Sequence, residues 1–225
     1  MNTYRKTAIT VGILLIMCSA TAIIGMSMAS SMLDAPDYFS NLAANENKTI
    51  LIAIIELLWA ATGTGIAIGL FPIIRKHNEW LAFGSVIFRC IENVMVIIGT
   101  LCLLGLFTLS HEFPSEALGA LLLGAREWAH SIITIIFFLM GAFLYYLVMF
   151  RSKLIPRWLS GWGIIGVILS LMATVIGAFN HDFLIGTVNT ILNAPIGIQE
   201  MVLAVWLIVK GFNRPIERNF LKSTQ

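Results

Sequence analysis

The chain has 225 residues, of which 58% are hydrophobic and only 12% are charged, and its formal net charge is +2. Soluble domains average about 45–50% apolar and about 25% charged residues, so this chain has too few polar side chains to cover a water-soluble globule. With a mean hydropathy of +0.89, the composition excludes a soluble enzyme and predicts an all-α, polytopic membrane protein.

Six apolar runs are long enough to cross a bilayer as helices. We predict one integral-membrane domain over residues 1–225, with transmembrane helices at about 7–28, 49–74, 80–109, 128–150, 158–179 and 186–212. Cleavage of the first run as a signal peptide is the alternative. That run is longer than a usual signal-peptide core, so we predict that it is retained.

The polar connection between the third and fourth runs contains a short helical pattern. Leu118, Leu121 and Leu122 recur at helical spacing there. This pattern predicts a short interfacial helix at about residues 115–125, lying on the membrane surface.

Charges are distributed unequally between the two sets of connections. The loops on one side hold Lys48 and Arg126 beside seven acids. The termini and the loops on their side collect most of the bases: Arg5, Lys6, Arg75, Lys76, Arg151, Lys153, Arg157, Lys210, Arg214, Arg218 and Lys222. The positive-inside rule therefore predicts that both termini are cytoplasmic.

The third run carries charge at mid-membrane depth. Arg89 and Glu92 are three residues apart and share one helix face with Asn93. Each charge costs about 3 kcal/mol at a helix centre on insertion scales, so this face should point into the protein.

The sixth run contains a predicted helix break, formed by Asn193, Pro195 and Gly197, beside Gln199 and Glu200. Proline removes a backbone donor, and irregular backbone at this depth is tolerated where it lines a cavity. At about 1.5 Å per residue, Arg89 and Glu200 lie level, so we predict that they pair.

Glu56 in the second run lies farther from the termini, nearer to Glu92 and His130. One base and three acids in low dielectric cannot all be charged cheaply, which predicts that one carboxyl, Glu56 or Glu92, is neutral. His130 is a secondary site candidate, although a lone histidine near the boundary is more often a hydrogen-bonded interface residue.

The sequence lacks the patterns of familiar catalytic and cofactor sites. We find no phosphate-binding glycine loop, haem-attachment motif or paired CxxC, and the scattered histidines disfavour a metal site and an intramembrane enzyme. We therefore expect no cofactor, no metal and no nucleic-acid partner. Cys18, Cys90 and Cys102 lie inside apolar runs and are predicted to be buried free thiols.

The buried charges support two functional hypotheses. The first is a small solute- or ion-binding or transport protein with a pathway through Arg89, Glu92, Asn93, Gln199, Glu200 and Glu56. The alternative is a non-transporting membrane scaffold or stress-related partner whose charges only hold helix register. The sequence leaves a homo-oligomer open.

Several motifs resemble one known family. They are residues 70–79 (LFPIIRKHNE), the Phe88-Arg89-x-x-Glu92 motif, and residues 156–163 (PRWLSGWG), 199–201 (QEM) and 206–212 (WLIVKGF). Together they resemble the bacterial membrane family called domain of unknown function 4386. The resemblance implies a multi-pass protein of the bacterial plasma (inner) membrane and assigns no activity.

Overall fold

The computed structural model describes residues 3–35, 37–112, 114–184 and 186–213. These residues form nine α-helices and one π-helical segment, with no strand among them. The elements are α1 (Thr3–Leu33), α2 (Tyr38–Ala44), α3 (Glu46–Ile74), α4 (Glu79–Glu112), α5 (Glu116–Glu127), the π segment (Trp128–Ile133), α6 (Thr134–Ser152), α7 (Arg157–Phe179), α8 (His181–Leu184) and α9 (Thr187–Val209).

Six helical stretches have the length and apolar composition of membrane spans. Each contains or closely matches one of the predicted runs, which confirms the all-α bundle and makes this a multi-pass membrane protein in contact with the lipid bilayer. Large apolar side chains such as Ile68, Leu101 and Ile165 point outward, as a lipid-facing surface requires.

The short helix predicted at about residues 115–125 is present as α5, and its location on the membrane surface stays a prediction. Helix α5 continues without a break through the π segment into α6, so residues Glu116–Ser152 form one 37-residue stretch, which was not predicted. Part of one face of α5 is buried. Gly119 packs against α2, where an added Cβ would lie 2.2 Å from the Tyr38 hydroxyl, and Arg126 is buried.

The six long spans close into a ring. Each span packs against the next in the order α1, α3, α4, α6, α7 and α9, and α9 packs back against α1. At the closure, the Arg5 guanidinium donates to the Ile208 carbonyl at 2.6 Å. The neighbouring turn is tied in by the Lys76 ammonium, which donates to the Tyr4 hydroxyl at 3.1 Å.

These contacts place the start of α1, the end of α9 and the α3–α4 turn together. We call this the basic end, since it carries Arg5, Lys6, Arg75 and Lys76. The opposite end is the acidic end, with Asp34, Asp37, Glu46, Glu112, Glu116, Glu127 and Asp182. Arg214, Arg218 and Lys222 of the predicted charge asymmetry lie outside the described residues.

The predicted break in the sixth span is also wrong, because α9 is continuous from Thr187 to Val209 with Pro195 inside it. The Asn193 side chain adds bonds near the proline: its amide nitrogen donates to the Asn189 carbonyl at 2.9 Å, and its oxygen accepts from the Ser170 hydroxyl of α7. Packing against α7 also supports this stretch, since an added Cβ on Gly166 would lie 3.1 Å from the Ile196 backbone. Gly197 faces open space, and the helix is continuous through it.

Candidate functional site

A central cavity of about 150 Å³ lies inside the ring of spans. Helices α1, α3, α4, α6 and α9 all contribute to its wall. Its polar lining consists of Cys18, Ser19, Arg89, Glu92, Thr134 and Glu200. Three of the six predicted pathway residues, Arg89, Glu92 and Glu200, therefore meet at one place.

The strongest charge contact in this cavity lies within α4. The Arg89 guanidinium nitrogen Nη1 is 2.9 Å from the Glu92 carboxylate, and both side chains are 3% exposed. The guanidinium also lies 5.1 Å from the centre of the Phe138 ring, a cation–π distance. Gly141 makes room for the arginine, because an added Cβ there would come within 3.1 Å of its Cγ.

Three buried polar atoms in the cavity wall lack hydrogen-bond partners. They are Nε of Arg89, the hydroxyl of Thr134 and Oε2 of Glu92, which lies at ion-pair distance from Arg89 without hydrogen-bond geometry. Leaving such a group unpaired costs about 1–3 kcal/mol, so native proteins usually satisfy it with water or a ligand. These atoms can therefore bind water or the polar part of a small solute inside a cavity whose remaining wall is apolar.

The predicted ion pair between Arg89 and Glu200 is wrong. Helices α4 and α9 lie on opposite sides of the ring and do not pack together in the described residues, so the cavity separates the two side chains. The Glu200 carboxylate instead accepts a long hydrogen bond of 3.5 Å from the Tyr145 hydroxyl. Equal depth along the membrane normal did not reveal this lateral separation.

Asn93 and Gln199 do not line the cavity. The Asn93 amide donates to the Thr64 hydroxyl of α3 at 3.1 Å and to the Arg89 carbonyl at 2.7 Å. Gln199 accepts from the Tyr146 hydroxyl and donates to the Leu159 carbonyl of α7 at 3.1 Å. Both residues therefore link neighbouring helices.

Glu56 belongs to a second cluster nearer the acidic end. Its carboxylate forms an ion pair with both terminal nitrogens of Arg126, at 3.2 Å for Nη1, and accepts from the Thr100 hydroxyl at 2.8 Å. Arg126 Nη1 also donates to the Gly99 carbonyl at 2.7 Å. Arg126 is thus a buried partner, and its assignment to an outer loop from the sequence is wrong.

His130 lies beside this cluster, in the π segment, and is buried. Its Nε2 is 3.0 Å from the Val96 carbonyl, and its ring meets the Trp59 ring edge to face at a centroid distance of 5.6 Å. Within the described residues, no group of three or more His, Cys, Asp or Glu side chains is placed to bind a metal.

The charge count of the interior changes once Arg126 is included. Arg126 balances Glu56, and Arg89 balances Glu92. Among the described residues, Glu200 is the interior carboxylate that has no Lys, Arg or His nitrogen within 4.0 Å. Glu200 is therefore the interior carboxylate whose charge is not balanced by a contacting cation.

Sequence reasoning missed Arg126 and Thr134 as interior residues. One signal was present, because Arg126 and His130 are four residues apart and so share a helix face. Recognising it required α5 and α6 to form one continuous stretch, which the polar residues around Glu127 concealed.

Comparison with known proteins gives one match. The model of the family described as "Domain of unknown function (DUF4386)" matches residues 10–211. Neither a curated protein nor a solved structure matches the chain. The matched range covers all six spans except the first residues of α1, and it includes every residue of the central cavity. The chain therefore belongs to the DUF4386 family of membrane proteins, whose function is unknown.

Proposed function

We propose that the protein binds a single small positive charge, a proton or a monovalent cation, in the central cavity and carries it across the membrane. The observation that supports this most directly is the Glu200 carboxylate, which faces the central cavity without an ion-pair partner. A half-buried carboxylate in a membrane interior needs a compensating charge or a proton. If that compensating cation or proton can exchange, the site can carry it.

The charge balance favours a cation over an anion. With Arg89, Glu92 and Glu200 all ionised, the cavity has a net charge of −1, because one arginine faces two carboxylates. One bound proton or monovalent cation makes it neutral. An anion that used the unpartnered Nε of Arg89 would lie beside the Glu92 carboxylate, which is 2.9 Å from Nη1 of the same guanidinium, and would be repelled by it.

The size of the cavity limits the ligand. A water molecule takes about 30 Å³ of liquid volume, so a cavity of about 150 Å³ holds about five waters or an ion of comparable size. Sodium, potassium, ammonium and methylammonium fit this limit, and bulky organic cations do not.

We also propose that the protein lies in a bacterial plasma membrane with both termini in the cytoplasm. The basic end carries Arg5, Lys6, Arg75 and Lys76, and the positive-inside rule puts such an end in the cytoplasm. Cysteines introduced at Asp37 and at Ser152 should then react with impermeant thiol reagents only from outside and only from inside, respectively.

Proteoliposome flux tests the proposed function. A pH-sensitive dye inside the liposomes reports proton movement under a pH gradient, and radiolabelled sodium, potassium analogue and methylammonium report cation uptake. We expect flux of a proton or of one cation, and we expect Glu200→Gln to reduce it to the level of protein-free liposomes. Glu92→Gln should also lower it, because the cavity then holds one arginine and one carboxylate, is already neutral and no longer needs a bound cation.

Glu79→Gln is the matched control, since it removes an exposed carboxylate from the same helix as Glu92. Its flux should equal that of the native protein. Absence of flux for all these ions, or full flux in Glu200→Gln, would contradict the proposal. That result would favour the scaffold alternative, in which the links through Asn93, Gln199 and Arg126 serve only to hold the helices together.

A further inference from the structure

A second and larger cavity, of about 590 Å³, lies between the central cavity and the acidic end. We call it the vestibule. Its wall is formed by α1 and by the stretch that joins α5 to the π segment, and it includes Met26, Ser30, Asp34, Arg126, His130 and Ser131. Because Asp34 is exposed at the end of α1, this cavity reaches the aqueous side.

The two cavities lie one above the other along the same helix faces. On α1, Ser19 and Ala22 line the central cavity, and Met26 and Ser30 line the vestibule at the next positions of the same face. On the other wall, the vestibule residue Ser131 is followed by Thr134 of the central cavity. In the described residues, α1 does not pack against α6, so the space between these walls is not closed by helix packing.

One aromatic contact lies at the junction of the two cavities. Trp59 lines the central cavity, His130 lines the vestibule, and their rings are in edge-to-face contact. Gly99 allows the imidazole to sit there, because an added Cβ would lie 2.1 Å from its Cδ2. His130 also belongs to a π-helical turn, a rare element that is found frequently at functional sites.

The vestibule suits a positive ion. Its one arginine, Arg126, is neutralised by the buried Glu56 carboxylate. Asp34 contributes an exposed negative charge at the mouth, and the acidic end around it carries six further acids. Surface charge of one sign raises the local concentration of the opposite ion.

From these observations we propose that small cations reach the central cavity from the acidic end through the vestibule, and that the Trp59–His130 contact is the constriction they must pass. The proposal rests on the proposed function for the identity of the ion. The route itself is defined by the two cavities and the ring contact between them. It makes Trp59 and His130 access-controlling residues and leaves binding to Glu200.

Cys18 provides a native probe, because it lines the central cavity. In a Cys90→Ala, Cys102→Ala background it is the single thiol. Its thiolate attacks the sulfur of a methanethiosulfonate, forms a mixed disulfide and releases methanesulfinate. We would compare the cationic aminoethyl reagent, whose ammonium group is close in size to methylammonium, with the anionic sulfonatoethyl reagent. Each is added from the acidic end or from the basic end of oriented vesicles, with a thiol scavenger enclosed on the other side.

We expect Cys18 to react faster from the acidic end, and faster with the cationic reagent. Trp59→Ala and His130→Ala should each raise that rate by about two- to tenfold, the factor that corresponds to one edge-to-face aromatic pair. The matched control is Trp80→Ala, which removes a tryptophan that is 85% exposed and should leave the rate unchanged. A thermal unfolding measurement in detergent verifies that each variant is folded. If Trp59→Ala is not folded, Trp59→Phe is used in its place.

Reaction only from the basic end would overturn the route. So would rates that neither ring substitution changes, or equal rates with the two reagents. The labelling measurements do not depend on ion flux, so the route and the proposed function can fail separately. If the route is wrong and the proposed function is correct, Glu200-dependent flux is normal and one of the contradicting labelling results is observed. A wrong proposed function with a correct route gives the expected labelling pattern and no flux.

Discussion

Breaking the buried pair between Glu56 and Arg126 should destabilise the protein more than any substitution in its loops. In Arg126→Met, the Glu56 carboxylate stays fully buried and keeps only the Thr100 hydroxyl as a donor. Removing one partner of a buried ion pair typically costs about 3–5 kcal/mol, because the remaining charge is uncompensated. That is a large part of a total stability of about 5–15 kcal/mol.

Removing both charges should recover most of this loss. Apolar replacement of a whole buried pair is often neutral or stabilising, so Arg126→Met with Glu56→Leu regains the desolvation cost. The Gly99 carbonyl still loses the hydrogen bond from Arg126, which is worth about 1 kcal/mol. We therefore expect the double variant to be about 1–2 kcal/mol less stable than the native protein. Its free energy of unfolding should be clearly higher than that of Arg126→Met.

Reversible unfolding by sodium dodecyl sulfate in mixed micelles, followed by circular dichroism, measures these free energies. The matched control is Arg151→Met at an exposed position, which should change stability by no more than about 0.5 kcal/mol. If the double variant simply adds the losses of the two single variants, the two charges are not coupled and the reasoning is refuted.

Two further predictions use the same unfolding measurement. Gly99→Ala should cost about 1–3 kcal/mol, because its Cβ would overlap the His130 ring, and Gly197→Ala, whose Cβ meets nothing within 4 Å, should be neutral or stabilising; equal effects at the two glycines would contradict the packing around His130. Arg89→Ala should be less stable than Arg89→Ala combined with Glu92→Ala, since the double variant leaves no unpaired charge at their contact; a double variant that is the less stable of the two would show that Glu92 does not pair with Arg89.

The fold could be predicted largely from the sequence, because bilayer thickness fixes the length of an apolar run that can span it. The positions of the six spans followed from this constraint alone. Helix α2 and the continuity of α5 with α6 were not predicted. Both depend on contacts such as that between Gly119 and Tyr38, which join residues distant in sequence.

The candidate site was predictable only in part. The cost of a charge in a membrane correctly directed Arg89, Glu92 and Glu200 to the interior. Their pairing was not predictable, because depth along a helix is one coordinate and the position of each helix around the ring is another. The break predicted at Pro195 was wrong for a related reason. A missing backbone donor shows where a helix is weakened, but the sequence does not show that α9 packs closely against Gly166 of α7 at this point and stays unbroken.

The ring of spans can close only after the last span, α9, has been synthesised. Arg5 and the Ile208 carbonyl it binds are 203 residues apart, so the first span is made long before the last. At about 5–20 residues per second of synthesis, α1 waits about 10–40 s for α9. During that time the face of α1 that later meets Ala204 and Ile208 through Gly12 is open. Until α9 is made, the nascent protein therefore has five spans, and the faces of α1 and α7 that α9 covers in the closed ring lie open between them.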